Sequence, residues 1–330
     1  MSVVARTDDN FAFRPLPDPI PEAPDTAAAL AAQASAPLIS GPLGSLSQLP
    51  GTWIGQGFNS IWRPHDVTTS GQDRFLELNL TSETIVFTEI NGDIPNRGLF
   101  MPDIVMRGLT YMQQISERNN PAEGLHIEPG IWAHVPATTN PAEPRTVVRM
   151  ASIPHGTTIL AQGRGTVVSG PPIISDNNIL PFSIHGSPLP NSAFHAQLAN
   201  FPEMNLSVPT PFRFESSGVT QEMVRNPNSV LQHAIAGQNI TNTLVISITT
   251  NHSPIKGGGA ANTAFLQSAM SQGVGGNAKC VEMTATFWIE QVTGQGGQPD
   301  KLQLQYSQLV QLDFNDLRWP HVTVATLTKQ

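Results

Sequence analysis

From Pro50 to the C-terminus, apolar and polar residues alternate in short segments that turn-forming residues separate. Such alternation is typical of β-strands, because successive side chains of a strand point to opposite faces of a sheet. Consecutive antiparallel strands without helices between them favour an up-and-down barrel, which closes on itself and leaves no exposed edge. The expected fold class is therefore all-β, a ten-stranded antiparallel up-and-down β-barrel. We expect its strands near residues 52–63, 74–90, 107–118, 124–136, 145–153, 157–168, 242–250, 279–292, 301–314 and 320–328.

Two parts of the chain lack this alternation. Residues 1–45 are rich in Pro and Ala, and because proline fixes φ and removes a backbone donor, we expect an arm with only a short helix near 25–33. A long irregular section at about 170–242 is rich in Pro, Asn and Ser and contains a predicted helix near 219–236. We interpret residues 46–330 as a single barrel domain, in which the irregular section is an insertion that forms a lid.

Composition excludes several classes of protein. The 330 residues include 17 Lys and Arg against 25 Asp and Glu, and the net charge of −8 gives no basic surface for nucleic acid. No apolar run approaches the ~18 residues that a membrane-spanning helix needs, so no membrane association is expected. The single Cys280 excludes a disulfide framework. Because the N-terminus also lacks the apolar region of a signal peptide, we expect the cytoplasm.

Histidine is the side chain most suited to carry chemistry in this chain. The sequence contains no Gly-x-Ser-x-Gly elbow, no His-Glu-x-x-His helix and no phosphate-binding loop. Nine histidines are present, and no two have the spacing of a chelating pair. A haem needs only one axial imidazole from the protein, because the porphyrin supplies four nitrogens. Spacing therefore cannot exclude a haem site.

Several segments resemble the nitrobindin family of small haem-binding β-barrels, which are related in shape to fatty-acid-binding proteins and other calycins. They occur in the family's order: Gly51-Thr-Trp-Ile-Gly-Gln-Gly57, Glu77-Leu-Asn-Leu-Thr-Ser-Glu83, Leu125-His-Ile-Glu-Pro-Gly-Ile-Trp132, Val147-Val-Arg-Met-Ala-Ser-Ile-Pro154 and Leu317-Arg-Trp-Pro-His-Val-Thr-Val-Ala-Thr-Leu-Thr-Lys329. The resemblance covers about 51–169 and 278–329. The family's barrel lacks an insertion of some 70 residues, and it has Met-His where this chain has Leu125-His126.

This resemblance implies haem b as the cofactor, with His321 as the axial ligand of the iron. It implies that His126 lies on the distal side as the catalytic group. Four further residues are expected to line the haem pocket: Leu125, Met112, Thr323 and Met283. The implied chemistry is binding of nitric oxide, isomerisation of peroxynitrite, or a peroxidase-like reaction, and whether the protein is an enzyme stays open.

A second hypothesis needs no haem. The same cavity could carry a fatty acid or another small hydrophobic ligand. Under both hypotheses the expected partner is a small molecule, namely a diatomic gas, peroxynitrite or a small apolar substrate. A homodimer is compatible with the sequence.

Overall fold

The computed structural model describes residues 36–251, 258–263 and 277–330. Ten long strands, consecutive in sequence apart from short elements, dominate this part of the chain. They are β1 (Gly51–Pro64), β2 (Arg74–Glu89), β3 (Ile104–Glu117), β4 (Asn120–Val135), β5 (Thr146–Ile153), β6 (Thr157–Ser169), β7 (Asn239–Thr249), β8 (Lys279–Thr293), β9 (Lys301–Phe314) and β10 (Leu317–Lys329). The predicted all-β fold is confirmed, with strand bounds that differ by no more than a few residues.

These strands form a closed barrel. Each strand pairs antiparallel with the next, and β10 returns to pair with β1. The closing register places Trp53 opposite Lys329 and Gly57 opposite Ala325. A Cβ added at Gly57 would lie 2.1 Å from the carbonyl oxygen of Val324. Glycine therefore permits the close approach of the two backbones that seals the barrel.

One end of the barrel, here called the base, holds the first residues of β1 and the last residues of β10. Residues 36–50 plug it, and successive turns place their leucines against the apolar core. The buried leucines are Leu38, Leu43, Leu46 and Leu49. Trp53 Nε1 donates to the carbonyl oxygen of Leu49 at 2.8 Å, and Lys329 Nζ donates to that of Gln48 at 3.0 Å. The plug is thus joined to both strands of the closing pair.

Residues 1–45 were expected to form an arm outside the barrel domain, whereas the structure includes the last ten of them in the plug. The described part of the arm, residues 36–45, belongs to the folded barrel, because its leucines complete the core at the base. The helix expected near 25–33 lies outside the described residues.

The insertion packs on the outer wall of the barrel. It contains α-helices at Phe194–Gln197, Gln221–Arg225 and Ser229–Ile235, and a short strand, Arg213–Glu215, that runs parallel to β2. A second hydrophobic cluster fills the interface between the insertion and the barrel. Its barrel side comprises Phe58, Trp62, Leu76, Leu78, Leu80, Trp288, Phe314, Trp319, Val322 and Val324. The expectation of a lid is therefore corrected: these outward-facing apolar side chains require cover, and the insertion supplies it.

The remaining elements are short. They are the helix Val67–Ser70, two 3₁₀ turns at Asn191–Ala193 and Pro202–Met204, and the strands Ile94–Asn96, Thr138–Thr139, Ala142–Glu143, Phe182–Ser183 and Gly259–Asn262. In the parts of the chain that the structure describes, no helix is long and apolar enough to cross a membrane.

Candidate functional site

The end opposite the base, here called the mouth, presents three histidines. His321 lies on the inward face of β10, in the same row as Ala325 and Leu327 of the core. Its half-buried ring accepts an N–H of Asn59, with 2.8 Å between Asn59 Nδ2 and His321 Nε2. Because an amide nitrogen only donates, His321 Nε2 carries a lone pair. Burial lowers the pKa of His321 to about 3, and repulsion from His126 and His155 acts in the same direction. The imidazole is therefore neutral at physiological pH.

The other two histidines lie on the opposite wall of the mouth. His126 is on the inward face of β4, where it pairs with the buried Ile115 of β3. His155 lies in the turn between β5 and β6, and its ring centroid is 6.0 Å from that of His126. His155 is exposed, and partial desolvation of its ring, with the charge of His126 as a smaller cause, lowers its pKa. The mouth is thus lined by imidazoles from β4, β10 and one hairpin.

The structure brings four of the six predicted site residues together. Thr323 follows His321 in the inward row, and its hydroxyl accepts from Asn59 Nδ2 at 2.9 Å. Met283 is fully buried and reaches the same region, since it pairs with Val310, which in turn pairs with His321. His126 completes the set from the other wall.

Met112 and Leu125 are not brought into the mouth. Met112 lies between two inward-facing residues, Tyr111 and Gln113, so strand alternation turns it outward. Leu125 directly precedes the inward His126, next to a bulge in the β3–β4 pairing, and is half-buried outside the inward row. The structure therefore does not bring Met112 and Leu125 together with His321.

Below the mouth, the barrel interior contains a network of polar side chains that the sequence reasoning missed. Arg149 Nη2 donates to Glu128 Oε1 at 2.5 Å, and Arg149 Nε donates to the hydroxyl of Tyr111 at 2.9 Å. The Tyr111 hydroxyl donates to Glu128 Oε1, and Arg149 Nη1 donates to Gln308 at 2.7 Å. Burial alone would raise the pKa of Glu128, but the charge of Arg149, with hydrogen bonds from His126 and Tyr111, lowers it to about 2.

A second buried carboxylate lies in the same part of the interior. Tyr306 donates its hydroxyl proton to Glu83 Oε2 at 2.5 Å, and Thr81 donates to Glu83 Oε1 at 2.8 Å. Gln113 Nε2 donates to the hydroxyl of Tyr306 at 2.9 Å. Burial raises the pKa of Glu83 to about 7 against these hydrogen bonds. We call the eight side chains of the two networks the polar layer; they are Thr81, Glu83, Tyr111, Gln113, Glu128, Arg149, Tyr306 and Gln308.

The sequence does contain a signal for this layer. Glu128 alternates with Gly130 and Trp132 along β4, and Arg149 alternates with Val147 and Ala151 along β5. A charged residue on the strand face that also carries apolar residues indicates a buried ion pair. That signal identifies neither partner until the register of the strands is known.

One buried polar atom on the strand next to Asn59 has no hydrogen-bond partner among the described residues. Asn79 pairs with Asn59 across β1 and β2 and lies in the inward row of β2 with Thr81 and Glu83. Its side chain is 1% exposed, and its Oδ1 accepts no hydrogen bond. Because an unpaired buried acceptor is costly, this oxygen is suited to receive a donor from a bound molecule.

The site is defined by this chemistry rather than by the size of a groove. Outer grooves of about 530 Å³ and 1140 Å³ are lined by neither His126 nor His321. Across the described residues, no group of three or more His, Cys, Asp or Glu is placed to hold a bare metal ion. A site that needs only one protein ligand stays compatible with the mouth.

No protein-family model matches the sequence, and no curated protein matches it. Among solved structures, the chain is similar to Rv2717c from M. tuberculosis, with 13% sequence identity, a TM-score of 0.40, and coverage of 88% of this chain and 99% of that chain. We draw no argument about function from a likeness at this level. The strand pairing by itself establishes that the chain is a ten-stranded antiparallel β-barrel.

Proposed function

We propose that the protein binds haem b at the mouth of the barrel, with His321 as the axial ligand. The observation that carries the proposal is the state of His321: an inward, half-buried, neutral imidazole with the lone pair of Nε2 directed to a side-chain amide. A neutral imidazole nitrogen is the ligand that haem iron requires. Among the described residues, the contacts of Nε2 to be given up are those with two neutral side chains, Asn59 Nδ2 at 2.8 Å and the Thr323 hydroxyl at 3.4 Å.

The residues around His321 suit the group. Thr323 and Asn59 lie beside the ring as hydrogen-bonding side chains, while Met283 and Val310 supply apolar surface from β8 and β9. When bound, haem iron offers a coordination position to a diatomic gas or a peroxide, and the resemblance to nitrobindins supports nitric oxide and peroxynitrite as its ligands.

A haemin titration tests the proposal. The purified full chain should develop a strong Soret band on addition of one equivalent of haemin, and His321→Ala should lose it. His126→Ala is the matched control, since it removes another imidazole of the same mouth and should keep the band. The proposal would be contradicted if the wild-type chain develops no Soret band, or if His321→Ala develops a band as strong as that of the wild type.

The alternative, a haem-free carrier of a fatty acid, has less support. A carrier must give the ligand's carboxylate a buried cation, because an isolated charge is too costly to bury. Among the described residues, the buried cations are Arg149 and Lys329. Arg149 is already paired with Glu128 and bonded to Tyr111 and Gln308, and Lys329, at the base, donates to the carbonyl oxygen of Gln48. Tight binding of a fatty acid that survives His321→Ala would favour the carrier.

A further inference from the structure

His126 is attached to the polar layer through one of its ring nitrogens. Its Nε2 lies 3.1 Å from Glu128 Oε2. The other oxygen of the same carboxylate, Oε1, accepts hydrogen bonds from Arg149 and Tyr111. Glu128 is fully buried, so its position is fixed from one side by the guanidinium and the phenol and from the other by the imidazole.

The charge of Glu128 determines which ring nitrogen of His126 carries the proton. Arg149 keeps the pKa of Glu128 at about 2, so the carboxylate is ionised at neutral pH. An ionised carboxylate only accepts hydrogen bonds, and the atom 3.1 Å from it must therefore be an N–H. The proton of neutral His126 lies on Nε2, and the lone pair lies on Nδ1.

The inward row of β4 is built for this contact. Tyr111 can reach Glu128 because residue 130 is glycine: a Cβ at Gly130 would lie 2.5 Å from Cε1 of the Tyr111 ring. Two positions further, the ring of Trp132 lies 5.8 Å from the guanidinium carbon of Arg149. One face of β4 therefore supplies, in order, the imidazole of His126, the carboxylate of Glu128, the space at Gly130 for the Tyr111 ring, and the Trp132 ring near Arg149.

We propose that Glu128 is a positioning residue that holds His126 in its Nε2–H tautomer, so that the Nδ1 lone pair takes a proton from a protic ligand such as a hydroperoxide in the mouth. The O–H bond of the ligand breaks and an N–H bond forms at Nδ1. The imidazolium keeps its Nε2–H bond to Glu128, whose charge stabilises it, and Nδ1 returns the proton to the same ligand oxygen when the ligand leaves the mouth. The proposal rests on the proposed function only for the place where the ligand binds.

The tautomer can be read directly in the protein without haem. In the full chain labelled with ¹⁵N-histidine, long-range ¹H–¹⁵N correlations at neutral pH show which nitrogen of each ring is protonated, and His126→Asn assigns the signals of His126. We expect a protonated Nε2 and an unprotonated Nδ1. Glu128→Gln should convert His126 to a mixture of tautomers, because an amide can both donate and accept.

Glu83→Gln is the matched control. It alters another fully buried carboxylate of the polar layer, whose hydrogen bonds go to Tyr306, Thr81 and Gln113, and it should leave the tautomer of His126 unchanged. If Glu128→Gln does not fold because the charge of Arg149 is left alone, the double variant Glu128→Gln/Arg149→Gln removes both charges and serves in its place.

A wild-type His126 with its proton on Nδ1 would overturn the inference, whatever the variants do. So would a tautomer that neither Glu128→Gln nor the double variant changes. The haemin titration is a separate measurement. If no haemin binds but the tautomer is as expected, haem binding is rejected and the role of Glu128 is kept. If haemin binds but the tautomer is not as expected, haem binding is kept and the role of Glu128 is rejected.

Discussion

Two glutamates inside the same barrel are held in different charge states. Glu128 lies against the guanidinium of Arg149, and its pKa falls to about 2. Glu83 has hydroxyl and amide donors but no cation among its bonded partners, and burial raises its pKa to about 7. The difference follows from the general rule that an opposite charge favours ionisation and desolvation opposes it. One carboxylate of the polar layer is therefore a fixed anion, and the other titrates near neutrality.

Glu83→Gln should change how stability depends on pH. Since folding raises the pKa of Glu83 from 4.5 to about 7, the folded protein binds the proton more tightly than the unfolded chain does. This contribution is fully present below pH 4.5 and is lost as the pH rises to about 7, where the wild type has lost about 3 kcal/mol. Urea unfolding of both proteins should show the variant gaining about 2–3 kcal/mol relative to wild type between the two ends of that range.

The exposed Glu89, at the end of the same strand, provides the comparison. Glu89→Gln should show no such gain relative to wild type. An equal pH dependence for the Glu83 and Glu89 variants would mean that folding does not raise the pKa of Glu83.

At the scale of elements, β2 shows why strand positions were easier to predict than strand faces. Alternation places Leu76, Leu78 and Leu80 on one face and Asn79, Thr81 and Glu83 on the other. The usual assumption puts the leucines inside a barrel. Here they pack outward under the insertion, while the polar residues line the interior. The period of two was enough to locate β2, but only the rest of the molecule determines which face is buried in which core.

The same limit applies to the site. Alternation places His321 and Thr323 on one face of the last strand without saying which way that face points, and the resemblance indicated His321. Asn59 and Arg149 could not be found in this way, since each acquires its partner from a strand distant in sequence. Long-range register, which local pattern does not contain, decides these contacts.

The plug at the base should contribute to the stability of the barrel. Leu46→Ala should destabilise the protein by about 2–5 kcal/mol, because Leu46 is 0% exposed and its removal leaves a cavity between the plug and the barrel core. Leu99→Ala is the same change at a side chain that is 85% exposed and should cost no more than about 0.5 kcal/mol. Urea unfolding measures both. Equal costs for the two changes would contradict a structural role of residues 36–50.

At the scale of the whole molecule, the insertion and the barrel share one interface. Trp62 Nε1 of β1 donates to the carbonyl oxygen of Ile179 at 2.9 Å, and backbone bonds join β2 to the strand Arg213–Glu215. The apolar side chains beneath the insertion belong to the barrel strands themselves. The insertion is therefore a part of the wall, and it should not unfold as a separate unit.

Urea unfolding can test this unity. Three of the five tryptophans, Trp62, Trp288 and Trp319, lie under the insertion, while far-ultraviolet circular dichroism reports chiefly on the barrel strands. We expect the fluorescence and dichroism transitions to coincide, because loss of the insertion would expose the outer face of β1, β2 and β10. A fluorescence change that precedes the dichroism change would show that the insertion detaches first.

Because the insertion covers only part of the outer wall, the two sides of the mouth should differ in how much they fluctuate. His321 and Asn59 stand on strands braced from outside by the insertion, whereas His126 stands on β4, near strands whose outer side chains Met150 and Leu160 are 39% and 40% exposed. Fluctuations that widen the mouth should therefore occur mainly on the side of His126 and His155. A ligand bound at the mouth would then leave mainly past the side of His126 and His155. A substitution that loosens β4–β6 should speed both entry and escape while leaving the affinity nearly unchanged.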